Sequence, residues 1–493
     1  MAFTATCRRS VTFAKRCIWF TSRKSCRLFS TSDSVVADQR ETLSKKRKSQ
    51  KKRQWTGDLS WEERLADAVT PLWRLSYEEQ LESKQNHQER ILSQLMGHLS
   101  GDLQSLSSPA VTGKLNFPVL SILPSPIRDG YRNKSTFSVN KGVDGNPKTV
   151  GFYVGTGRRG NIVCVNADHL LNMPEKHKLV ARCYQDFLGL SQLQPCLLFH
   201  AGGHWREVTV RTNADGHTMA IVYFHPQTLT PEEVAVHKAD LVDYFTQGPG
   251  SVCQLDSLYF QESSKTRSTH EESPYQLLYG QPHIYEEVLG FKFRISADAF
   301  FQVNHAAAQV LYRTLRDLCF PDSRRGSGPT KVAGTLLDVC CGTGAIGITM
   351  SPRLDRVIGI ELIEQAVEDA IHNAALNNIL NCEFLPGKAE VVLPGLMSQL
   401  SSAVGGLTAV VNPARAGLHH KVVRALRNQP AIRRLVYVSC KPDGEAMRNF
   451  RELCCSPDPH RKLTGEAFSP TLAVPVDMFP HTPHCELVIL FER

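Results

Sequence analysis

Hydrophobic residues recur at helical spacing near the start of the chain. Between residues 54 and 100 they are separated mainly by Glu, Gln and Lys, and they fall along one helix face at Leu72, Leu75, Tyr77, Leu81, Ile91, Leu92 and Leu95. This spacing predicts an amphipathic N-terminal helical segment, which we assign to residues 61–112.

The hydrophobic period changes to two over residues 113–290. Short alternating stretches read STFSVN, TVGFYVG, NIVCV, REVTVRT, MAIVYF and SLYF, and turn sequences such as DGNP and NADGH separate them. The pattern predicts an antiparallel, β-rich central domain over this range.

The beginning of the central domain is basic and carries interleaved aromatic residues. Arg132 and Lys134 lie close in sequence to Tyr131 and Phe137. Cations beside aromatic rings are typical of surfaces that contact nucleic-acid phosphates and stack on bases. A solvated hairpin face is an equally good interpretation of this stretch taken alone.

Strand and helix patterns alternate in the C-terminal part of the chain. The strands include TLLDV, RVIGIEL, CEFLPG, LTAVVNP, LVYVSC and ELVILF, and helical stretches such as EQAVEDAIHNAALNN and KVVRALRN lie between them. This alternation predicts an α/β domain with a doubly wound, Rossmann-like sheet. We assign residues 291–493 to it.

Charge is concentrated at the N-terminus. The chain has 57 Lys and Arg against 48 Asp and Glu, but residues 1–32 contain seven basic residues and no acid. That composition is typical of a mitochondrial transit peptide with a processing site near Arg27-Leu28-Phe29-Ser30, and it predicts a location in the mitochondrial matrix. An unstructured basic tail is the alternative.

Residues 33–60 contain the run KKRKSQKKR and are predicted to form a basic linker, although a nuclear signal has the same composition. Without this run and the first 32 residues, the chain is slightly acidic. Any nucleic-acid surface on the folded part must therefore be a local patch.

The fifteen cysteines include no CxxC pair, so we expect mostly reduced thiols in an intracellular compartment. There is no apolar run of about 18 residues, and no membrane-spanning helix is expected. His481 and His484 lie near Cys485, but further ligands at suitable spacing are missing, so we expect no metal site.

A glycine-rich loop directly follows a strand of the C-terminal domain. Gly342, Gly344 and Gly347 form GxGxxG, and Glu361 ends the next strand, 19 residues beyond Gly342. Glycines allow a cofactor to approach the backbone closely, and the carboxylate can accept hydrogen bonds from ribose hydroxyls. Nicotinamide cofactors and S-adenosylmethionine both fit this arrangement.

Two later strands end in residues that can do chemistry. One ends in Asn412-Pro413-Ala414-Arg415, and another ends in Cys440. Residues 412–442 contain seven Lys and Arg and no acid. A thiol among cations is expected to have a lowered pKa and to act as a nucleophile, while a small buried filler is the alternative.

Several stretches together resemble the family of S-adenosylmethionine-dependent RNA uracil-5 methyltransferases, and the resemblance extends from about Pro71 to the C-terminus. They are PLWRLSYEEQLESK, GYRNKSTFSVN, FRISADAFFQVN, LLDVCCGTGAIG, IGIE, NPARAGL, VSCKP and DMFPHTPHCELV. The resemblance implies a class I methyltransferase domain at the C-terminus and an RNA-binding central domain.

The resemblance also implies roles for individual residues. Cys440 would be the nucleophile and Glu486 the proton acceptor. S-adenosylmethionine would be held by Gln302, Gly342, Gly344, Glu361 and Asn412. Arg132, Lys134 and Arg415 would contact RNA.

Several residues depart from the family pattern. Asn412 replaces an aspartate, Lys388 stands where an acid is common, and Lys441 replaces an asparagine beside the thiol. An ammonium next to Cys440 is expected to favour the thiolate.

The expected substrate is the T-loop uridine of mitochondrial tRNA, with a uridine of small-subunit ribosomal RNA as an alternative. No membrane and no obligate protein partner are expected. An RNA-folding pseudoenzyme is the non-enzymatic alternative, and a nicotinamide oxidoreductase is a third.

Overall fold

The computed structural model describes seven segments of the chain: residues 59–101, 115–155, 162–196, 202–263, 273–320, 334–400 and 406–493. They belong to one compact unit, Leu59–Arg493. The predicted transit peptide and most of the predicted linker lie outside the described residues. Among the helices of the described segments, none has the length and hydropathy to span a bilayer.

Two helices form the N-terminal part, as the hydrophobic spacing predicts. Helix α1 (Trp61–Val69) begins with a capping box between Ser60 and Glu63, and helix α2 (Tyr77–Gly101) follows after a short break. The two helices pack in different places. Leu65 of α1 joins the core of the central domain, whereas Leu92 and Leu95 of α2 join the core of the C-terminal domain.

The central domain contains a seven-stranded sheet in the order β3-β2-β1-β4-β5-β6-β7. Its strands are β1 (Lys134–Asn140), β2 (Thr149–Val154), β3 (Val163–Val165), β4 (Trp205–Thr212), β5 (Thr218–Phe224), β6 (Ser257–Glu262) and β7 (Tyr275–Gly280).

The β-rich prediction holds, but two helices and one strand pairing were not foreseen. Helix α3 (Glu175–Leu190) and helix α4 (Pro231–Thr246) each have 16 residues. Strands β5 and β6 pair in parallel, so the prediction of a purely antiparallel sheet is wrong at this point. A parallel pair needs a long crossover connection, and α4 lies in that connection.

A two-stranded hairpin, β8 (Ile284–Val288) and β9 (Phe291–Ile295), follows the central sheet. Arg294 on β9 binds the buried carboxylate of Asp369 through two guanidinium nitrogens, at 2.8 and 2.6 Å. Its backbone N–H also donates to the side chain of Asn373. The hairpin is therefore fixed to the C-terminal domain by polar contacts.

The C-terminal domain is built on a second seven-stranded sheet, in the order β12-β11-β10-β13-β14-β16-β15. Its strands are β10 (Thr335–Val339), β11 (Arg356–Glu361), β12 (Cys382–Pro386), β13 (Leu407–Val411), β14 (Ile432–Ser439), β15 (Ser469–Val476) and β16 (Glu486–Glu492). Strands β10–β14 are parallel, and β16 runs antiparallel between β14 and β15.

Helices cover this sheet: α5 (His305–Cys319), α6 (Ala345–Met350), α7 (Glu364–Leu376), α8 (Ala389–Gln399), α9 (His420–Asn428) and α10 (Glu445–Cys454). The strand order reverses between β10 and β13, as in a doubly wound Rossmann-like sheet. Ligands bind at the carboxyl edge of such a sheet, at the reversal point, and the predicted site residues follow these strands.

An additional segment lies along the edge of the second sheet. Val119 and Leu123 form parallel bridges with Ala473 and Val476 of β15. The stretch 115–125, which the sequence pattern assigns to the central domain, thus extends the C-terminal sheet. The backbone groups at the edge of β15 are paired in this way.

Candidate active site

One large cavity opens at the carboxyl ends of β10, β11, β13 and β14. Its volume is about 1390 Å³, and its lining comes from both domains. A pocket for one small ligand usually measures about 300–1,000 Å³. The cavity can therefore take a cofactor together with part of a larger substrate.

The glycine loop forms one wall of this cavity. Gly342 and Gly344 have positive φ angles of 54° and 80°. A Cβ atom at Gly344 would lie 2.9 Å from the ring of Phe384, so a side chain is excluded there. The third glycine has a different function: a Cβ at Gly347 would lie 2.8 Å from Val357, so it permits close helix–strand packing.

Glu361 is held against this loop by backbone hydrogen bonds. One carboxylate oxygen accepts from the N–H of Gly342 at 3.0 Å, and the other accepts from Leu362 and Ile363 at 2.8 and 3.1 Å. Glu361 and Gly342 both line the cavity. A carboxylate has about four acceptor positions, so it can also bind ribose hydroxyls.

The remaining candidate cofactor residues also line the cavity. Asn412 follows β13, and its N–H donates to the carbonyl of Val339 at 3.2 Å. Gln302 is buried, and its backbone carbonyl accepts from the Asn133 side chain of the central domain at 2.8 Å. The open glycine loop, the strand-end carboxylate and these amides fit a nucleoside-type cofactor such as S-adenosylmethionine.

We expect Glu361→Ala to weaken S-adenosylmethionine binding about tenfold or more, because a hydrogen bond to a charged group contributes roughly 1.5–3 kcal/mol. Isothermal titration calorimetry measures the change. Glu383→Ala is the matched control, since Glu383 lies on the neighbouring strand β12 and pairs with the exposed Arg356. Equal affinities for the two variants would contradict this assignment.

Cys440 and Glu486 line the same cavity. Cys440 directly follows β14, and Glu486 is the first residue of β16. The antiparallel register pairs Ser439 with Leu487, so the next pair outward is Cys440 with Glu486. The structure therefore brings together the two residues for which the family resemblance implies the roles of nucleophile and proton acceptor.

The carboxyl group of Glu486 is deeply buried. Only 5% of the residue is exposed, and burial raises its pKa from 4.5 to about 7, while the Arg415 guanidinium opposes this shift. Within the described part of the chain, its Oε2 atom has no hydrogen-bond partner. A carboxylate with a pKa near neutrality and a free oxygen is suited to accept a proton from a substrate.

The expectation of a lowered pKa for Cys440 is wrong. Burial, and then the facing Glu486 carboxylate, raise the pKa of this thiol, and Arg415 only partly offsets them. Lys441 is exposed, and its aliphatic chain lies beside Gly444. Its ammonium is therefore not among the groups that set the pKa of Cys440.

Arg415 lies closer to the chemistry than the sequence indicated. Arg415 lines the cavity together with Cys440 and Glu486, and its charge acts on both groups. It is the cation that lowers the pKa of both groups. A phosphate contact, as the sequence suggests, remains a prediction for this residue.

Arg132 and Lys134 lie on the central-domain wall of the same cavity. Lys134 is not on a solvated face: burial, and then the charge of Arg211, lower its pKa to about 7. A phosphate next to Lys134 would restore its charge. Both residues are thus placed to contact a substrate that enters between the domains.

Two features of the cavity were missed by sequence reasoning. Phe300, at its rim, is 65% exposed, which is unusual for a Phe and suits stacking on a base. Three buried polar residues of α2 contact the loop before Glu486, namely Tyr77, Gln80 and Lys84. The spacing of these residues by three or four positions could have indicated in the sequence that they share one helix face.

His481 is engaged in hydrogen bonding. Its Nε2 atom lies 2.6 Å from the Asp129 carboxylate, and its Nδ1 atom lies 3.3 Å from the side chain of Gln80. Within the described ranges there is no cluster of three or more His, Cys, Asp or Glu that could hold a metal ion.

The fold and the site together define a Rossmann-like class I methyltransferase. Residues 291–493 match the family model described as tRNA (Uracil-5-)-methyltransferase. The chain is 70% identical over 438 residues to tRNA (uracil-5-)-methyltransferase homolog B of Danio rerio, with 89% of this chain and 88% of the relative covered. The Homo sapiens homolog B is 56% identical over 457 residues, with 91% and 88% covered.

Among solved structures, the chain resembles the Pyrococcus abyssi tRNA (uracil-54, C5)-methyltransferase in complex with S-adenosyl-L-homocysteine. The TM-score is 0.58 at 23% identity, with 85% of this chain and 84% of that chain covered, which supports the fold. The chain belongs to the tRNA (uracil-5-)-methyltransferase family. It is an S-adenosylmethionine-dependent RNA uracil-C5 methyltransferase, and the oxidoreductase alternative is excluded.

Proposed function

We propose that this enzyme forms 5-methyluridine in the T-loop of mitochondrial tRNA, with Cys440 as nucleophile and Glu486 as proton acceptor. The observation that carries the proposal is the pairing of a thiol with a buried, partly unpartnered carboxyl group in the cavity that contains the glycine loop. Close relatives carry the description tRNA (uracil-5-)-methyltransferase homolog B.

The need for a thiol follows from the weak nucleophilicity of C5 in uracil. The Sγ atom of Cys440 forms a bond with C6, and the electron pair of the C5–C6 double bond moves towards O4 to give an enolate. Bound S-adenosylmethionine would supply an electrophilic methyl group to C5, and its sulfur would keep the electron pair of the broken S–CH3 bond, which gives S-adenosylhomocysteine. Arg415 stabilises the thiolate before it adds, because its positive charge acts to lower the pKa of the thiol.

The second half of the reaction needs a base. After methylation, C5 carries both the new methyl group and its original hydrogen. The Glu486 carboxylate takes that proton, the double bond forms again, and the Sγ–C6 bond breaks with its electron pair returning to sulfur. A pKa near 7 allows Glu486 to accept the proton and later release it to solvent.

The base must leave its stack to reach this pair of residues. The cavity supports that step, since its other walls carry Arg132, Lys134 and the exposed ring of Phe300. Cations can bind the flanking phosphates and the ring can stack on a neighbouring base.

A location in the mitochondrial matrix rests on the acid-free composition of residues 1–32. We expect a fluorescent reporter that carries these residues to enter mitochondria, and a diffuse or nuclear signal would contradict the assignment. A uridine of the mitochondrial small-subunit ribosomal RNA is the second candidate substrate.

The test of this function uses purified protein lacking residues 1–32, S-adenosylmethionine with a labelled methyl group, and mitochondrial tRNA transcripts. We expect one labelled 5-methyluridine per tRNA, identified by nucleoside mass spectrometry. A transcript with cytidine at the T-loop position is the control. Label only in small-subunit ribosomal RNA would change the substrate, and RNA binding without label in either RNA would favour an RNA-folding role.

A further inference from the structure

The polar stripe on α2 consists of Tyr77, Gln80, Lys84 and Gln88, at intervals of three, four and four residues. They share one face of the helix. Their exposed fractions are only 7%, 1%, 1% and 2%, although such residues are rarely so buried. A buried row of polar groups must be satisfied by specific partners, or it destabilises the protein.

The partners lie almost 400 residues away, in the strap formed by residues 477–485. The ammonium of Lys84 lies 2.6 Å from one oxygen of Asp477, and the Tyr77 hydroxyl donates to the other at 3.0 Å. Both Lys84 and Asp477 have fully buried side chains. Lys84 also donates to the carbonyl of Phe479 at 3.1 Å.

The contacts of the stripe continue along the strap as far as His481. The side-chain oxygen of Gln80 accepts from the N–H of His481 at 2.7 Å, where the strap adopts a positive φ of 66°. Gln88 lines the active-site cavity, as does Cys485, the residue that precedes Glu486. Helix α2 therefore holds the strap at its beginning and in its middle.

The strap is a wall of the active-site cavity. Phe479, Thr482, Pro483, His484 and Cys485 all line it, beside Cys440 and Glu486. A wall next to Glu486 can limit the access of water to its carboxyl group. A buried ion pair contributes little net stability compared with apolar packing, but it can fix one geometry.

We propose that the polar stripe of α2 is a positioning device, which holds the 477–485 strap closed over Cys440 and Glu486 and so keeps the two groups desolvated and aligned. The proposal rests on the function assigned to these two residues. It assigns a function to the stretch PLWRLSYEEQLESK, which lies far from the catalytic domain in the sequence and contains three of the stripe residues.

The test compares two stripe variants. Lys84→Met/Asp477→Asn removes both charges together, so no unpaired buried charge remains, and Gln80→Leu removes the hydrogen bonds to His481 and one to the Leu75 carbonyl. We expect kcat for tRNA methylation to fall about 100-fold, as expected for a misplaced catalytic group, with KM for tRNA unchanged. Water that passes the displaced strap would stabilise the Glu486 carboxylate and lower its pKa. The acidic side of the kcat–pH profile should therefore move to lower pH.

The control is Arg434→Met/Glu492→Leu, which removes an ion pair at the far end of strands β14 and β16. This variant should keep the wild-type pH profile. A folded stripe variant could lose activity while the acidic side of its kcat–pH profile stays unchanged. That result would indicate a purely structural defect and would overturn the proposal. So would an unchanged kcat.

A second measurement needs no RNA turnover. The rate of Cys440 alkylation by iodoacetamide, followed by mass spectrometry across pH, reports the exposure of the thiol. We expect the pH at which alkylation reaches half of its maximal rate to be lower in both stripe variants than in the wild type. The control variant should keep the wild-type value. This measurement also applies if the wild-type enzyme fails to methylate RNA. A change in the pH dependence of alkylation would then support the positioning role of the stripe, and no change would refute it.

Discussion

Replacing Cys440 with Ala is expected to lower the rate of uridine methylation by about 10⁴-fold or more, as expected when a nucleophile is removed. Without sulfur, C6 of uracil receives no nucleophile, and C5 stays unreactive towards the methyl donor. The fold should be unaffected, because Cys440 is only half-buried and Ala fits the same space. Single-turnover methylation with a saturating amount of enzyme measures the effect.

The matched control is Cys382→Ala, another half-buried thiol of the same domain, on strand β12. It should methylate at the wild-type rate. Binding of tRNA and S-adenosylmethionine should be the same in both variants. Methylation by Cys440→Ala at more than a trace rate would require a mechanism without covalent addition.

Replacing Glu486 with Gln is expected to stop the reaction after methyl transfer. The thiol can still add to C6, but the amide cannot take the C5 proton, so Cys440 stays bonded to the RNA. We expect turnover to fall about 10²- to 10⁴-fold. A covalent protein–tRNA complex should accumulate on ordinary uridine, visible in a denaturing gel.

Glu492→Gln, at the other end of the same strand, is the control and should release its product normally. If Glu486→Gln loses activity without accumulating the complex, Glu486 acts before the addition of sulfur.

The Glu486→Gln variant is also predicted to change the free energy of unfolding. Because burial raises the folded-state pKa of Glu486 from 4.5 to about 7, the stabilising contribution of its protonated form is complete below pH 4.5 and is lost as the pH rises through 7. Gln resembles the protonated acid. We therefore expect Glu486→Gln to be more stable than wild type at pH 8, by about 3 kcal/mol, and equal to it near pH 4. Urea denaturation at the two pH values measures the difference.

Much of the site could be predicted from strand ends. Gly342, Glu361 and Cys440 each lie at the carboxyl end of a strand whose apolar pattern is clear in the sequence, and parallel strands bring such ends to one edge. To place Glu486 in the site, one must also predict that β16 pairs antiparallel with β14.

Other properties depend on burial, which the local pattern does not contain. The pKa of Cys440 is raised although its sequence neighbours are basic, because the thiol is partly buried and Glu486 faces it, while Lys441 is exposed to solvent. The partners of Lys84 are 393 residues away, so its role could not be inferred from adjacent residues. Helix α4 was missed since the strands on either side of it carried the stronger signal.

The most direct test of the account uses mitochondrial tRNA with 5-fluorouridine in the T-loop, S-adenosylmethionine and protein lacking residues 1–32. Fluorine at C5 cannot leave as a proton, so the enzyme should remain bonded to the RNA after one methyl transfer. The account predicts a complex that survives a denaturing gel, requires S-adenosylmethionine and is absent from Cys440→Ala. Bound RNA with no covalent complex would contradict the roles assigned to Cys440 and Glu486.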